Sequence, residues 1–249
     1  MGIKISIITV NLNNSDGLQL TLPSVLAQDF SSFEHIVIDG GSTDGSRDIL
    51  EKNTDPRLSW VSGPDDGIYD AMNKGIKKAE GEYILFLNSG DRLFKKSTLK
   101  KASKYLSQGT DIVYGDMKIS NNGVITNGIM PEEIDVVQMV RDTLWHPVSF
   151  IRKELFTKYG LYNTSFRITG DYEFFFRVII GKRISARHIR QYIAVFDLNG
   201  LSSDSRNIDV IRDERERVQK SYLSEIEISE IKNRMQPVKK KSIFRRWFR

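Results

Sequence analysis

Residues 63–93, GPDDGIYDAMNKGIKKAEGEYILFLNSGDRL, decide how the chain is read. They divide into an acidic glycine loop, an amphipathic helix, and an apolar strand, Tyr83 to Leu87, that stops at Asn88-Ser89-Gly90-Asp91. The helix, Tyr69 to Ala79, gathers Ile68, Met72, Ile76 and Ala79 on one stripe and leaves Asp70, Asn73, Lys74 and Lys77 on other faces. A strand that hands a carboxylate to a loop at its C-terminal end is where open α/β sheets hold ligands.

Working outward, Lys4 to Val10 (KISIITV) is a β-branched run suited to a strand buried on both faces of a parallel sheet. The polar cluster Asn11, Asn13, Asn14 and Asp16 follows, placed to bond a ligand or to cap a helix from Leu18 to Ala27 with Pro23 in its first turn. A second strand, Glu34 to Ile38, leads through Asp39-Gly40-Gly41-Ser42-Thr43-Asp44-Gly45 to a helix at Ser46 to Lys52, and Arg57 to Val61 reads as a third strand. Strands alternating with helices imply right-handed crossovers and a mostly parallel central sheet flanked by helices.

After a helix at Ser97 to Ser107 and a strand at Asp111 to Tyr114, the pattern changes. Asp116 to Ser120 and Val124 to Asn127, joined by Asn121-Asn122-Gly123, read as a hairpin with a type I′ turn, a small antiparallel element. Next come a strand at Val148 to Arg152, a helix at Lys153 to Tyr159, an apolar helix at Asp171 to Ile180, and strands at Ile184 to His188 and Tyr192 to Asp197. Asn207 to Arg234 reads as a single charged helix, a C-terminal extension of an α/β chain.

Composition narrows the function. The 249 residues suffice for one large domain with a full core. With no cysteine and three histidines, thiolate zinc sites and disulfides are excluded, and any metal site is expected to be hard and oxygen-ligated. The net charge of +5 includes six cations in residues 239–249, KKKSIFRRWFR, which leaves −1 for the rest, so the body does not read as a nucleic-acid surface. No apolar run reaches the roughly 20 residues of a membrane span and none follows a basic start, so a cytoplasmic location is expected. The tail mixes its cations with Ile243, Phe244, Trp247 and Phe248, which form one face if helical. It reads as a contact with the anionic inner face of the cell membrane, or as a solubilising tail.

Each polar motif has a plain structural reading and a chemical one. The loop at 39–45 lacks the spacing of a phosphate-binding glycine loop, and its two carboxylates would repel phosphate. Asp39 therefore suits accepting hydrogen bonds from a base or ribose, or a simple turn, with Asp44 or Ser42 capping the next helix. Asp91 suits either a β-turn or one carboxylate of a Mg²⁺ or Mn²⁺ site completed by substrate phosphates. Asp171, at a helix start, is an N-cap or an ionised base, with Glu173 a weaker candidate for the latter. His146, between Trp145 and Pro147, is structural or a contact for the acceptor or the leaving group.

Together these stretches resemble the family 2 glycosyltransferases of the GT-A fold, over residues 3–198. The resemblance rests on ISIITVNLNN (5–14), HIVIDGGSTDGS (35–46), GIYDAMNKGIKKAEGEYILFLNSGD (67–91) and HPVSFIRKELFTKYGLYNTSFRITGDYEFFFRV (146–178). It implies an inverting, metal-dependent transfer of a sugar from a nucleotide-diphosphate donor, of UDP type, to a glycan or lipid-linked saccharide in cell-surface polysaccharide synthesis. Thr9, Asn11, Asn13 and Asp39 would hold uracil and ribose. Gly40, Asp66, Tyr69, Asn73, Lys74, Asn88 and Ser89 would line the donor pocket. Asp91 would bind Mg²⁺ or Mn²⁺, Asp171 would be the general base, and His146 would face the acceptor.

The implied division is a GT-A domain over 1–200, with a nucleotide-sugar half at 1–115 and an acceptor half at 116–200, followed by a helix and basic tail at 201–249. Two positions depart from the family's pattern. Its Asp-x-Asp-Asp stands here as Asn88-Ser89-Gly90-Asp91, which keeps one carboxylate, and its first-strand Pro and Tyr are Val10 and Leu12. The other readings are a non-catalytic nucleotide-sugar-binding protein and a nucleotidyltransferase. The latter would want a basic glycine-rich loop after the first strand, where Asn11-Leu12-Asn13-Asn14 has no cation.

Overall fold

The β-branched run near the start of the chain forms strand β1 (Ile5–Asn11), buried at every position. It lies between β2 (Phe33–Asp39) and β4 (Tyr83–Phe86), parallel to both, and β3 (Leu58–Ser62) extends the sheet beyond β2. The computed structural model describes residues 4–106, 109–198, 200 and 204–235. Both the division at residue 201 and the tail at 239–249 fall wholly or partly outside them.

On the other side of β4 the pairing is mixed: β8 (Ser149–Arg152) is antiparallel to β4 and to β6 (Ile112–Asn121), β6 is parallel to β9 (Ala186–Asp197), and β9 is antiparallel to β5 (Arg92–Leu93). Strand β7 (Val124–Gly128) closes the expected hairpin on β6, and its turn residues Asn122 and Gly123 have φ of 48° and 84°. Expected strand pairs at 111–120 and 184–197 are each one continuous strand. The β6–β9 register shifts around Asp116, between the two stretches expected at 111–114 and 116–120. The result is a mixed α/β sheet, parallel in its first half, with helices around it.

Helix α1 (Ser15–Leu26) starts a turn earlier than the apolar pattern suggested, because Asn14 caps it by accepting from the Gly17 N–H at 3.0 Å; Pro23 is therefore interior. Asp44 joins this helix to α2 (Ser46–Glu51), accepting from the backbone N–H groups of Ser15 and Ser46. Helix α3 (Ile68–Lys78) packs closely on β1 at Gly75, where a Cβ would lie 2.5 Å from Ile8 Cγ2. Helix α4 (Thr98–Ala102) is shorter than its sequence suggested, and α5 (Val136–Arg141) was not anticipated. Helix α6 (Lys153–Tyr159) matches its pattern, while α7 (Gly170–Phe175) continues as π turns through Gly181.

The long C-terminal helix is two, α8 (Ile208–Tyr222) and α9 (Glu225–Met235). Ser224 and Glu227 form a reciprocal capping box that starts the second: Ser224 N–H donates to the Glu227 carboxylate at 2.8 Å, and Glu227 N–H donates to Ser224 Oγ at 3.3 Å. No helix among the described residues is long and apolar enough to cross a membrane.

Beneath the sheet edge, Thr9 and His35 form a buried polar pair. The Thr9 hydroxyl donates to the Leu87 carbonyl at 2.7 Å, so the 2.9 Å contact with His35 requires Nε2–H as donor. His35 Nδ1 is then a buried lone pair without a partner, and burial lowers the imidazole pKa from 6.5 to about 3 despite the opposing pull of Asp55. Unfolded chains bind a proton below 6.5 that the folded chain refuses until about 3. Stability should therefore fall on acidification across that window by about 1.4 kcal/mol per pH unit from this group. Urea unfolding at pH 6.5 and pH 5 should show the loss, and His35→Gln should reduce it.

Candidate active site

Register sets the site. In the β1–β2 pairing Asn11 lies opposite Asp39, and β4 ends level with them, because the Ser89 N–H donates to the Val10 carbonyl. Three strand ends therefore open on one edge, the place where parallel sheets hold ligands. A cleft of about 1030 Å³ lies there, bounded by residues 10–14, 65–69, 88–91, 142–147 and 168–172. Its volume suits a nucleotide sugar with part of a second substrate.

The donor-side residues divide into those that line this cleft and those that support it. Asn11, Gly40, Tyr69, Asn88 and Ser89 line it. Gly40 is closely approached: a Cβ there would lie 3.2 Å from both Leu12 Cδ1 and Asp65 Oδ2. Asp39 sits below, fully buried, its carboxylate accepting from Asn11 Nδ2, Ser42 Oγ, Ser42 N–H and Ser62 Oγ at 2.5–3.0 Å. Burial would raise its pKa, but the hydrogen bonds from Ser42, Ser62 and Asn11 outweigh that and hold it below the ordinary carboxylate range.

Five residues with expected donor contacts have other partners. The Thr9 hydroxyl is used by Leu87 and His35, as above. Asn13, at φ 47°, accepts from the Thr43 N–H at 2.9 Å and braces the 39–45 loop. Asn73 holds Tyr162 by both backbone groups, at 2.9 and 3.0 Å, which ties α3 to the loop before α7. Lys74 bonds the Pro64 carbonyl, Asp65 and Asp70, closing the acidic loop. Asp66 gives its N–H to Asp70, and its neighbour Asp65 is the residue that lines the cleft.

Asp91 is delivered by a tight loop: Gly90 has φ 107°, its N–H donates to Thr21 Oγ1, and that hydroxyl donates to the Asp91 carbonyl at 2.6 Å. Strand β5 pairs Arg92 with Val195 of β9, which brings the end of β9 alongside, and the Asp197 N–H donates to Asp91 Oδ1 at 3.0 Å. Burial pushes the Asp91 carboxyl up to about 7, with the Asp197 N–H and His146 working the other way. Asp197 also lines the cleft. Sequence reading passed over it, although a carboxylate ending a strand was the same signal that marked Asp91.

Asp171 lies in the first turn of α7 behind Thr169, so it is not the N-cap. Its Oδ1 accepts from the Tyr172 N–H at 2.9 Å and lies 3.1 Å from the Tyr69 hydroxyl, whose single proton is shared with the Ile168 carbonyl at 2.5 Å, and its Oδ2 is 2.9 Å from His146 Nδ1. Burial would raise its pKa, yet the hydrogen bond and charge of His146, with the Tyr172 N–H and Tyr69 hydroxyl, hold it below the ordinary range. The carboxylate is therefore ionised and accepts the Nδ1 proton. His146 Nε2 lies 3.4 Å from Asn88 Nδ2, and Asn88 Oδ1 is buried without a partner. The chain Asp171–His146–Asn88 links the proposed base to the loop that carries Asp91.

Among the described residues no three His, Cys, Asp or Glu side chains cluster as a metal cage. A Mg²⁺ or Mn²⁺ ion that takes its remaining ligands from substrate phosphates and water needs only one or two protein carboxylates. The orphaned Asn88 Oδ1, three residues from a carboxylate whose ionised form burial disfavours, fits such an ion.

A cleft at the strand ends of a mixed α/β sheet, lined by carboxylates, agrees with a GT-A sugar transferase. The chain belongs to that class through its family: Glycosyl transferase family 2 matches residues 6–178. A PGL/p-HBAD biosynthesis glycosyltransferase of Mycobacterium tuberculosis is 31% identical over 204 residues, covering 80% of this chain and 78% of that protein. An uncharacterized glycosyltransferase of the same organism is 34% identical over 206 residues, covering 80% and 77%. A putative teichuronic acid biosynthesis glycosyltransferase of Bacillus subtilis, TuaG, is 36% identical over 107 residues, 42% of each chain.

Among solved structures, S. aureus TarS 1–349 in complex with UDP-GlcNAc superposes with a TM-score of 0.69 at 21% identity, over 92% of this chain and 70% of that one. Against a longer TarS chain this protein spans 42% of its length, with a TM-score of 0.66. The Pyrobaculum calidifontis mannosyltransferase PcManGT, in complex with GDP-Man and Mn²⁺, gives a TM-score of 0.61 at 17% identity, over 79% and 57%. These likenesses establish the fold.

Proposed function

We propose that this glycosyltransferase moves a sugar from a UDP-linked donor to a hydroxyl of a glycan or lipid-linked saccharide, with inversion, in the synthesis of a cell-surface polysaccharide. The observation that carries the reading is that Asp171 and the buried Asp91 line one cleft, linked through His146 and Asn88. Support also comes from the UDP-GlcNAc held by TarS and from the cell-surface products in the names of the mycobacterial and Bacillus relatives.

The donor's base would rest against Leu12, an apolar side chain 63% exposed at the end of β1, with Gly40 below it and Asn11 beside it. Asp91 and Asn88 Oδ1 would hold Mg²⁺ or Mn²⁺, which when bound offsets the charge of the leaving diphosphate. Asp171 takes the acceptor proton as the hydroxyl oxygen bonds the anomeric carbon and the bond from that carbon to the diphosphate breaks. Tyr69 and the Tyr172 N–H fix the carboxylate, so little reorganisation accompanies the step. The basic tail, outside the described residues, supports a cytoplasmic enzyme working at an anionic membrane surface.

A second reading makes His146 the base and Asp171 its orienting partner. It is favoured by one observation: both Asp171 oxygens are engaged, by Tyr69, the Tyr172 N–H and His146, while among the described residues His146 Nε2 has the long contact to Asn88 alone.

UDP release from a panel of UDP-sugars with Mn²⁺ tests the proposal. Slow acceptor-independent release from at least one of them is expected. Binding without release from any would favour a non-catalytic binding protein, and absence of binding would overturn the UDP assignment.

A further inference from the structure

The cleft is lined by six carboxylates, Asp16, Asp65, Asp91, Asp142, Asp171 and Asp197, and among the described residues by a single Lys or Arg, Arg215 of α8. Helix α8 is built into this wall rather than appended to it. Glu214 accepts from the N–H groups of Arg167, Ile168 and Thr169 and so fixes the segment that leads to Asp171. Gln219 donates to the Tyr172 hydroxyl at 3.0 Å. Between them Arg215 lies over the Tyr172 ring, its guanidinium carbon 4.6 Å from the centroid, with Ile211 one turn before it on the same cleft wall.

Arg215 Nη2 is buried with no hydrogen-bond partner among the described residues. A buried N–H left unsatisfied is costly, and a guanidinium on an aromatic face presents its remaining donors in a fixed plane that matches an oxyanion. The fold retains this donor amid carboxylates without spending it on any of them. It stacks on Tyr172, the residue after Asp171, and shares the cleft lining with Ile168 and Ile211.

We infer that Arg215 forms an oxyanion subsite for the acceptor, so that the acceptor carries a phosphate or carboxylate close to the hydroxyl that is glycosylated. The inference rests on the transferase reading and narrows it to an anionic acceptor class.

Titration of the full chain, saturated with UDP and Mn²⁺, with octyl β-D-glucuronide, octyl β-D-glucoside 6-phosphate and neutral octyl β-D-glucoside tests it. At least one anionic probe should bind about tenfold or more tightly than the neutral one, since a charge-assisted hydrogen bond separates them. The tighter anion tells carboxylate from phosphate. Arg215→Gln should remove the preference by weakening the anionic probe, and Arg215→Lys should keep part of it; thermal midpoints confirm that both variants fold. Three probes bound alike or not at all, or a preference that survives Arg215→Gln, would overturn the inference. So would a loss of UDP affinity in Arg215→Gln that matches the loss for the probe, because the guanidinium would then belong to the donor. If the unaltered chain does not bind UDP, the donor reading fails separately, and the same titrations without UDP still test Arg215.

Discussion

Asp171→Asn should lower sugar transfer by about 10²- to 10⁴-fold, the range a positioned general base contributes, with UDP affinity held within about twofold. The amide keeps the shape of the carboxylate but cannot take a proton. It can still accept from the Tyr172 N–H, so α7 should stay in place. Steady-state rates with calorimetric UDP titration separate the two effects. Transfer at the unaltered rate would remove Asp171 from the reaction. His146→Gln, measured beside it, decides between the two assignments of the base. With Asp171 as base, His146 only orients and ionises it, and its loss should cost about tenfold; a loss as large as that of Asp171→Asn would move the base to the imidazole.

The second large effect belongs to Asp91. Asp91→Ala should weaken Mn²⁺-dependent UDP binding by on the order of 10- to 100-fold, and should leave the small metal-independent part of that binding alone. Asp91 is 4% exposed and lies in a lining with few compensating cations, so a diphosphate there needs positive charge from elsewhere. Calorimetry with and without Mn²⁺ reads this directly and does not depend on turnover. Equal isotherms for the variant and the parent chain would take the cation away from Asp91.

Much of this architecture is legible in the residues. β-Branched runs ending in polar loops announced the parallel strands, and Asn88 to Asp91 announced the ligand edge, because these signals are local. Asn122-Gly123 specified the hairpin turn, which needs positive φ at both positions. Long-range pairings were harder to see. Asp197 reaches Asp91 only because the two-residue β5 pairs with β9, and two residues leave almost no periodic signal. Asn73 and Lys74 sit on polar helix faces that read equally well as ligand contacts or as loop braces, and their partners, Tyr162 and Asp65, decide it. Arg215 was one charge among many on a helix read as an extension; nothing in its spacing shows that α8 packs across Tyr172 and returns to the cleft. The break between α8 and α9, by contrast, was readable, since Ser224 to Glu227 is a capping-box sequence.

Hydrogen–deuterium exchange with and without UDP and Mn²⁺ tests the central claim, that strand ends, acidic loop and α7 form one nucleotide-sugar cleft. Added protection should fall on amides in residues 10–14, 39–42, 65–69 and 88–91, with the hairpin at 118–128 unchanged. Protection confined to another surface, or none at saturating UDP, would contradict it.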